Sequence, residues 1–216
     1  MKREFFDFGG GVKRIALLIM LIFCSAGHLE AQRAIPENPF KFVMDEPAGW
    51  FPVSKAEIEE SLKRFDLRND SLENFLSQNQ GKYLLFAYVK FRQDSFTGLN
   101  PKIEGRVIQI NSPKPLTFSE FKPAAETTLR KIASQFDEQR YIVEPSEIKI
   151  AGIDSVYHIS EFQMSVKNGS KLRVRSRTYL IPRGTYFFQI SFVDEPDRRD
   201  CSAEFDELIR SIRILK

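Results

Sequence analysis

The chain has 216 residues, of which 42% are hydrophobic and 28% charged. This composition excludes a collagen, a coiled coil and a disordered chain. The formal net charge of +3 at pH 7 creates no overall field that would attract a nucleic acid, so we expect no nucleic-acid partner. The length fits one folded domain, with or without a leader.

The N-terminus has the pattern of an export signal. Lys13 and Arg14 precede an apolar run over residues 15–27, which is shorter than the ~20 apolar residues that a membrane-spanning helix needs. We therefore predict a signal peptide over residues 1–31 and a short tether over residues 32–38. The protein is then exported, periplasmic or extracellular, and meets the membrane only transiently through this peptide. A leader retained as an anchor is the alternative.

The first half of the remaining chain alternates strand and helix patterns. An aromatic strand is predicted over residues 40–44, and two capping boxes predict helices between residues 54 and 80. The nearly continuous apolar run over residues 83–91 predicts a central strand of a sheet. The next strand is predicted over residues 103–111.

A further capping box, formed by Thr117 and Glu120, predicts the start of another helix. Pro123 complicates this start because proline inside a helix removes a hydrogen bond. Either the helix restarts at Pro123, or it kinks there. The apolar spacing that follows predicts a helix from about residue 123 to residue 137.

The second half is rich in strands and ends in a helix. The predicted strands are residues 147–151, 155–166, 171–181 and 185–193, and the helix has Phe205, Leu208, Ile209 and Ile212 on one face.

Two loops determine which side chains of this half share a face. A three-residue loop at residues 168–170, with its glycine in the left-handed conformation, places Val166 opposite Leu172. A second three-residue loop at residues 182–184 continues the same pattern. The side chains that then share the core face are Phe162, Met164, Val174, Phe188, Ile190 and Phe192.

The other face of these strands carries the candidate binding site. Arg173, Arg175 and Arg177, here called the arginine row, alternate along one strand and extend about 14 Å. Glu161 is predicted to lie opposite Arg177 as an ion pair. Because guanidinium groups bind carboxylates and phosphates in bidentate fashion, the row is predicted to bind an anionic ligand or an acidic partner. The alternative is a solvated or helix-covered face without a binding role.

No pattern of a catalytic, metal or cofactor site is found, so we predict a protein that is not an enzyme and needs no metal or cofactor. There is no Gly-x-Ser-x-Gly or Cys-x-x-Cys motif, and His158 has the position of a structural histidine on the core face. Cys201 is predicted to be a small residue beside the last helix, with a reactive thiol as the alternative. A calcium ion at Asp194, Glu195 and Asp197 is a weaker alternative, because the spacing is not that of a calcium loop.

Several segments together resemble a known superfamily. The aromatic strand over residues 186–192 leads through an acidic loop to a helix over residues 205–212, and Phe40 and Phe42 precede a turn over residues 47–50. This order of elements resembles the Mog1/PsbP-like superfamily, which includes exported bacterial DcrB-like proteins.

The resemblance implies a fold and a broad function. It implies a single α+β domain over residues 39–216, in which an antiparallel β-sheet is sandwiched with helices. Members are mostly non-enzymatic, so we expect an exported accessory protein that binds another envelope or secreted protein. The alternatives are a carrier of a small anionic or amphiphilic ligand between sheet and helices and, third, a hydrolase built around His158. The resemblance implies no particular functional residue.

Overall fold

The computed structural model describes residues 35, 38–54, 83–92, 96, 98–110, 112, 114–134, 136, 138–166 and 169–215. The predicted signal peptide and the helices predicted between residues 54 and 80 lie outside the described residues. The elements of the described part are β1 (Phe42–Val43), β2 (Phe51–Pro52), β3 (Tyr83–Val89), β4 (Lys102–Gln109), α1 (Phe118–Ala133), β5 (Arg140–Ile150), β6 (Ile153–Ser165), β7 (Lys171–Arg183), β8 (Tyr186–Asp194), α2 (Ser202–Ser211) and β9 (Arg213–Ile214).

Seven of these strands form one antiparallel sheet in the order β2-β3-β4-β8-β7-β6-β5, and β1 pairs separately with β9. The predicted α+β fold is therefore confirmed. The expectation that residues 83–91 form a central strand is wrong, because β3 is separated from the edge only by the two-residue strand β2. Among the described residues, no helix combines the length and apolar character needed to cross a membrane.

Each face of the sheet is packed against a different helix. On the first, called the α2 face, Phe188, Ile190 and Phe192 of β8 belong to one core cluster with Phe205 and Leu208 of α2. All five are at most 4% exposed. Burial of each such side chain contributes about 2 kcal/mol, so this cluster is a major source of stability.

The opposite face, called the α1 face, is covered by the longer helix. Phe121, Ala125 and Leu129 of α1 pack against Val156 of β6 and Leu180 of β7. A neighbouring cluster on this face includes the stacked rings of Phe136 and Phe162, whose centroids are 3.9 Å apart, together with Leu172 and Val174.

The predicted set of core residues is divided between these two faces. Its β8 members lie on the α2 face, whereas Phe162, Met164 and Val174 lie on the α1 face. The cause is the β7–β8 turn, which has two residues, Gly184 and Thr185, rather than the three predicted. Because side chains alternate along a strand, a one-residue change in loop length moves every partner to the other face.

The pairing of β6 with β7 is shifted from the predicted one. The backbone N–H of Val166 donates to the carbonyl oxygen of Ser170 at 2.8 Å, and Gly169 has the predicted left-handed conformation with φ of 83°. The predicted pairing of Val166 with Leu172 is therefore wrong, because Leu172 lies opposite Met164.

The capping box that begins α1 is confirmed. The backbone N–H of Thr117 donates to Glu120 Oε2 at 2.9 Å, and the backbone N–H of Glu120 faces Thr117 Oγ1 at 3.4 Å. The helix runs without interruption from Phe118 to Ala133, so Pro123 lies inside it rather than at its start. The helix also ends four residues before the predicted residue 137.

Candidate functional site

The arginine row lies on the α2 face, at the end of the main core, rather than on a separate polar face. Arg177 pairs opposite Phe192 and Arg175 pairs opposite Asp194, both on β8. The Arg177 guanidinium also lies over the ring of Phe205 in α2, 5.9 Å from its centroid. The predicted placement of the arginine row on the face opposite the core residues of β8 is thus wrong, because the parity of the β7–β8 pairing differs from the predicted one.

Each guanidinium of the row is bonded to a carboxylate of the same chain. Arg173 donates to Asp197, with one distance of 3.0 Å from Nε to Oδ2, and Arg177 Nη1 donates to Asp206 Oδ1 at 2.8 Å. The predicted pair of Arg177 with Glu161 is not formed. Glu161 lies opposite Arg175 instead and is bonded to the exposed Arg140, 2.5 Å from its Nη2.

Arg175 makes the most extensive contacts of the three. Its Nε and Nη2 donate to Asp194 Oδ1 and Oδ2 at 3.0 and 2.6 Å, and Nη2 also donates to Asp200 Oδ1 at 2.6 Å. Burial lowers the pKa of Arg175, but these two carboxylates outweigh it and raise the pKa above its usual value. Asp194 is completely buried, and it accepts a further bond of 2.9 Å from the backbone N–H of Cys201.

The acidic loop after β8 is therefore engaged in ion pairs. Asp194 and Asp197 bind the arginine row, and Glu195 accepts bonds from Arg198 at 2.9 Å and from the backbone N–H of Leu99 at 3.1 Å. Cys201, just before α2, is 1% exposed, and burial raises the pKa of its thiol to about 11. Its surroundings are those of the predicted small buried residue, since a reactive thiol needs a lowered pKa.

A groove lies on the other side of the sheet, between α1 and β8. We call it the α1 groove; it has a volume of about 140 Å³ and an almost entirely apolar lining. Phe121 and Leu129 of α1 form one wall, and Leu180 and Phe187 form the floor. Gln189 is a polar member of the lining, at the end of the groove that leads toward β4.

Three charged side chains of β4 lie on the same face of the sheet as the groove. Lys102, Glu104 and Arg106, here called the β4 charge cluster, alternate along the strand, and Arg106 pairs directly opposite Gln189. Glu104 and Arg106 are each only 6% exposed. Glu104 Oε2 lies 3.1 Å from Lys102 Nζ, and Glu104 Oε1 accepts a bond from Arg106 Nε.

The electrostatics of the cluster keep its carboxylate ionised. Burial raises the pKa of Glu104, but the positive charges and hydrogen bonds of Lys102 and Arg106 outweigh burial and hold the pKa at about 2. The cluster therefore carries two positive charges and one negative charge at neutral pH.

His158 lies on the same face but makes no catalytic contact. It is 2% exposed, its Nδ1 has no hydrogen-bond partner, and burial lowers its pKa to about 4. A Ser-His-Asp site needs the histidine bonded to an orienting carboxylate through its second nitrogen. The position of His158 is that of the predicted structural residue, on the α1 face.

The pattern of the β4 charge cluster is visible in the sequence, but it forms none of the catalytic or metal-binding motifs considered above. Lys102, Glu104 and Arg106 alternate with Ile103 and Gly105, so the charges share one face of a strand. Alternation of this kind is normally typical of a solvated face. Only the structure shows that these charges are buried next to an apolar groove.

No family model matches the chain, and no curated protein matches it. The fold is similar to that of solved structures. LpqN, involved in cell envelope biogenesis of Mycobacterium tuberculosis, is 12% identical with a TM-score of 0.49, over 85% of this chain and 90% of that chain. Cyanobacterial PsbP (CyanoP) of Synechocystis is 14% identical with a TM-score of 0.48, over 85% of this chain and 92% of that chain.

A protein of Bacteroides thetaiotaomicron is 18% identical with a TM-score of 0.43, over 82% of this chain and 46% of that chain. The chain thus spans about half the length of the Bacteroides protein. These similarities concern the fold alone, and the seven-stranded antiparallel sheet with its two helices is the α+β class expected from the sequence. They carry nothing about partners or reactions, so function is inferred from the geometry of the site.

Replacement of Arg175 should lower the free energy of unfolding much more than replacement of Arg173. Arg175→Met leaves the buried carboxylate of Asp194 without its ion-pair partner, and we expect a loss of about 3 kcal/mol or more in the free energy of unfolding. Arg173→Met is the matched control, because that side chain is 37% exposed and should change stability by about 0.5 kcal/mol or less. Urea unfolding measures both, and equal losses would contradict an internal role for Arg175.

The buried His158 should make stability depend on pH below neutrality. The unfolded chain takes up a proton near pH 6.5, whereas the folded chain takes one up only near pH 4, so stability falls as pH falls through this window. The full effect is about 3 kcal/mol. Urea unfolding at pH 7 and pH 4.5 should show a smaller pH dependence in His158→Leu than in the unaltered protein. An unchanged pH dependence in the variant would contradict the shifted pKa.

Proposed function

We propose that this protein is an exported, non-catalytic binding protein that carries a small amphiphilic ligand in the α1 groove. The observation that supports this proposal is the apolar groove itself, which lies between a helix and the sheet and has a polar end at Gln189. Export is proposed from the leader, in which Lys13 and Arg14 precede a short apolar run.

The size of the groove limits the part of the ligand that it holds. Its volume of about 140 Å³ is below the roughly 300 Å³ at which pockets for drug-sized molecules begin. A cavity of about 150 Å³ in another protein holds benzene, so a six-carbon chain or ring is the matching size. The groove thus fits the end of an alkyl chain, with the remainder of the ligand outside it.

The chemistry of the site supports binding rather than catalysis. His158 Nδ1 has no hydrogen-bond partner, so this histidine lacks the orienting carboxylate of a Ser-His-Asp site. The lining of the groove consists mainly of aliphatic and aromatic side chains, which bind apolar groups and offer no acid or base.

The other candidate function is the binding of an envelope or secreted protein through the arginine row. The contacts of the row support this function less well than the α1 groove supports ligand binding. The guanidinium groups of the row are already bonded to Asp194, Asp197, Asp200 and Asp206. A partner's carboxylates would have to compete with these internal bonds. Partner binding by Arg173, Arg175 and Arg177 therefore stays a prediction, and the α1 groove is the site that the geometry favours.

Two neighbouring threonines of α1 provide a matched test. Both are exposed, and each hydroxyl donates to the carbonyl oxygen four residues earlier at 2.8 Å, but Thr128 lines the groove and Thr127 does not. With hexan-1-ol as the probe, saturation-transfer difference NMR should show binding to the unaltered protein and to Thr127→Phe. Binding should be lost in Thr128→Phe, whose ring fills the groove.

Absence of hexan-1-ol binding to the unaltered protein would contradict the proposal. Equal binding to both phenylalanine variants would place the ligand elsewhere. Urea unfolding of the two variants serves as the control for folding.

A further inference from the structure

Within the described part of the chain, the β4 charge cluster has one positive charge more than the carboxylate that its two basic side chains share. Glu104 is shared by Lys102 and Arg106, and its low pKa keeps it ionised, so the three side chains together carry a charge of +1. The residues that pair opposite the cluster on β3 and β8 are all uncharged: Leu84, Ala87, Val89, Gln189, Ser191 and Val193. Burial of an unbalanced charge is costly, and a bound counter-charge removes that cost.

Arg106 is the member of the cluster that can accept a ligand. Its side chain is 7% exposed, and it donates to Glu104 through Nε alone. Within the described part of the chain, neither Nη1 nor Nη2 has a hydrogen-bond partner. Two terminal N–H groups on one edge of a guanidinium match the two oxygens of a carboxylate or phosphate. Lys102, by contrast, is more exposed, at 19%, so water can reach its side chain.

The position of Arg106 joins this charge to the groove. It pairs directly opposite Gln189, which lines the α1 groove, and Gln189 in turn pairs opposite Leu180 of the groove floor. Side chains opposite each other on neighbouring strands are about 5 Å apart at Cβ. An apolar chain in the groove would therefore bring a head group at its end within reach of Arg106.

We propose that the ligand of the α1 groove carries an anionic head group, a carboxylate or a phosphate, that is bound by the free edge of Arg106. This inference rests on the proposed function and specifies the class of ligand as an anionic amphiphile. The chain end occupies the apolar groove, Gln189 contacts the junction of chain and head, and the head balances the charge of the β4 charge cluster.

Four probes test the contributions of the alkyl chain and of the anionic head group separately. Hexanoate and hexyl phosphate have an alkyl chain and an anionic group, hexan-1-ol has only the alkyl chain, and acetate has the anionic group with a single methyl. NMR titration of the unaltered protein should give dissociation constants for hexanoate and hexyl phosphate that are about tenfold lower than that of hexan-1-ol, because a hydrogen bond to a charged group is worth about one factor of ten. Acetate should bind more weakly than hexanoate.

Substitutions in the β4 charge cluster should change the preference for hexanoate over hexan-1-ol. Substitutions of Arg106 should weaken it, and substitution of Glu104 should strengthen it. Arg106→Gln should remove the tenfold preference for hexanoate, and Arg106→Lys should retain part of it. Glu104→Gln removes the internal competitor and should strengthen hexanoate binding while leaving hexan-1-ol binding unchanged. Arg183→Gln is the control for net charge, since this residue is exposed at the end of β7, away from the cluster. Urea unfolding checks that each variant is folded.

The outcomes distinguish the two proposals. Equal binding of hexanoate and hexan-1-ol would overturn the anionic head group and leave the carrier function standing. Binding of acetate as tight as that of hexanoate would show a plain anion site and would also overturn the inference. Absence of binding by all four probes would contradict both proposals, and a preference that survives Arg106→Gln would place the anion at another residue.

Discussion

The position of α2 depends on the buried ion pair between Arg175 and Asp194. Asp194 is the last residue of β8, completely buried, and its two carboxylate oxygens bind the Arg175 fork and the backbone N–H of Cys201. Arg177 extends this layer over Phe205, and Trp50 Nε1 donates to Glu204 of α2 at 2.6 Å. The charges thus connect the end of the sheet to the helix, and the apolar core continues directly beneath them.

This arrangement explains why the sheet has two different faces. The α2 face is closed by aromatic packing and paired charges. On the α1 face, small residues such as Ala125 leave space between helix and sheet, and Gln189, which pairs opposite Arg106, adds a polar group to the lining. We therefore attribute much of the stability to the packing of the α2 face and propose ligand binding on the α1 face, because binding sites need incompletely packed surfaces.

Local patterns in the sequence predict much of this fold. The spacing of Phe205 and Leu208 identifies α2, and the reciprocal bonds of Thr117 and Glu120 follow directly from the capping box. Which side chains of β7 and β8 share a face of the sheet could not be predicted. It depends on whether the turn at Gly184 has two residues or three, and both turn lengths are compatible with the local sequence. The binding role given to the arginine row followed from the predicted assignment of these faces. The β4 charge cluster has an equally ordinary pattern, and its burial is a tertiary property.

We propose that the ligand binds on the α1 face and not on the α2 face. Methyl NMR spectra distinguish the two, because the two faces contain different methyl groups. On addition of hexanoate, we expect shifts for Ala125, Leu129 and Leu180, with no change for Ile190, Leu208 and Ile212. Shifts confined to the second set, beside the arginine row, would show that the ligand binds on the α2 face instead.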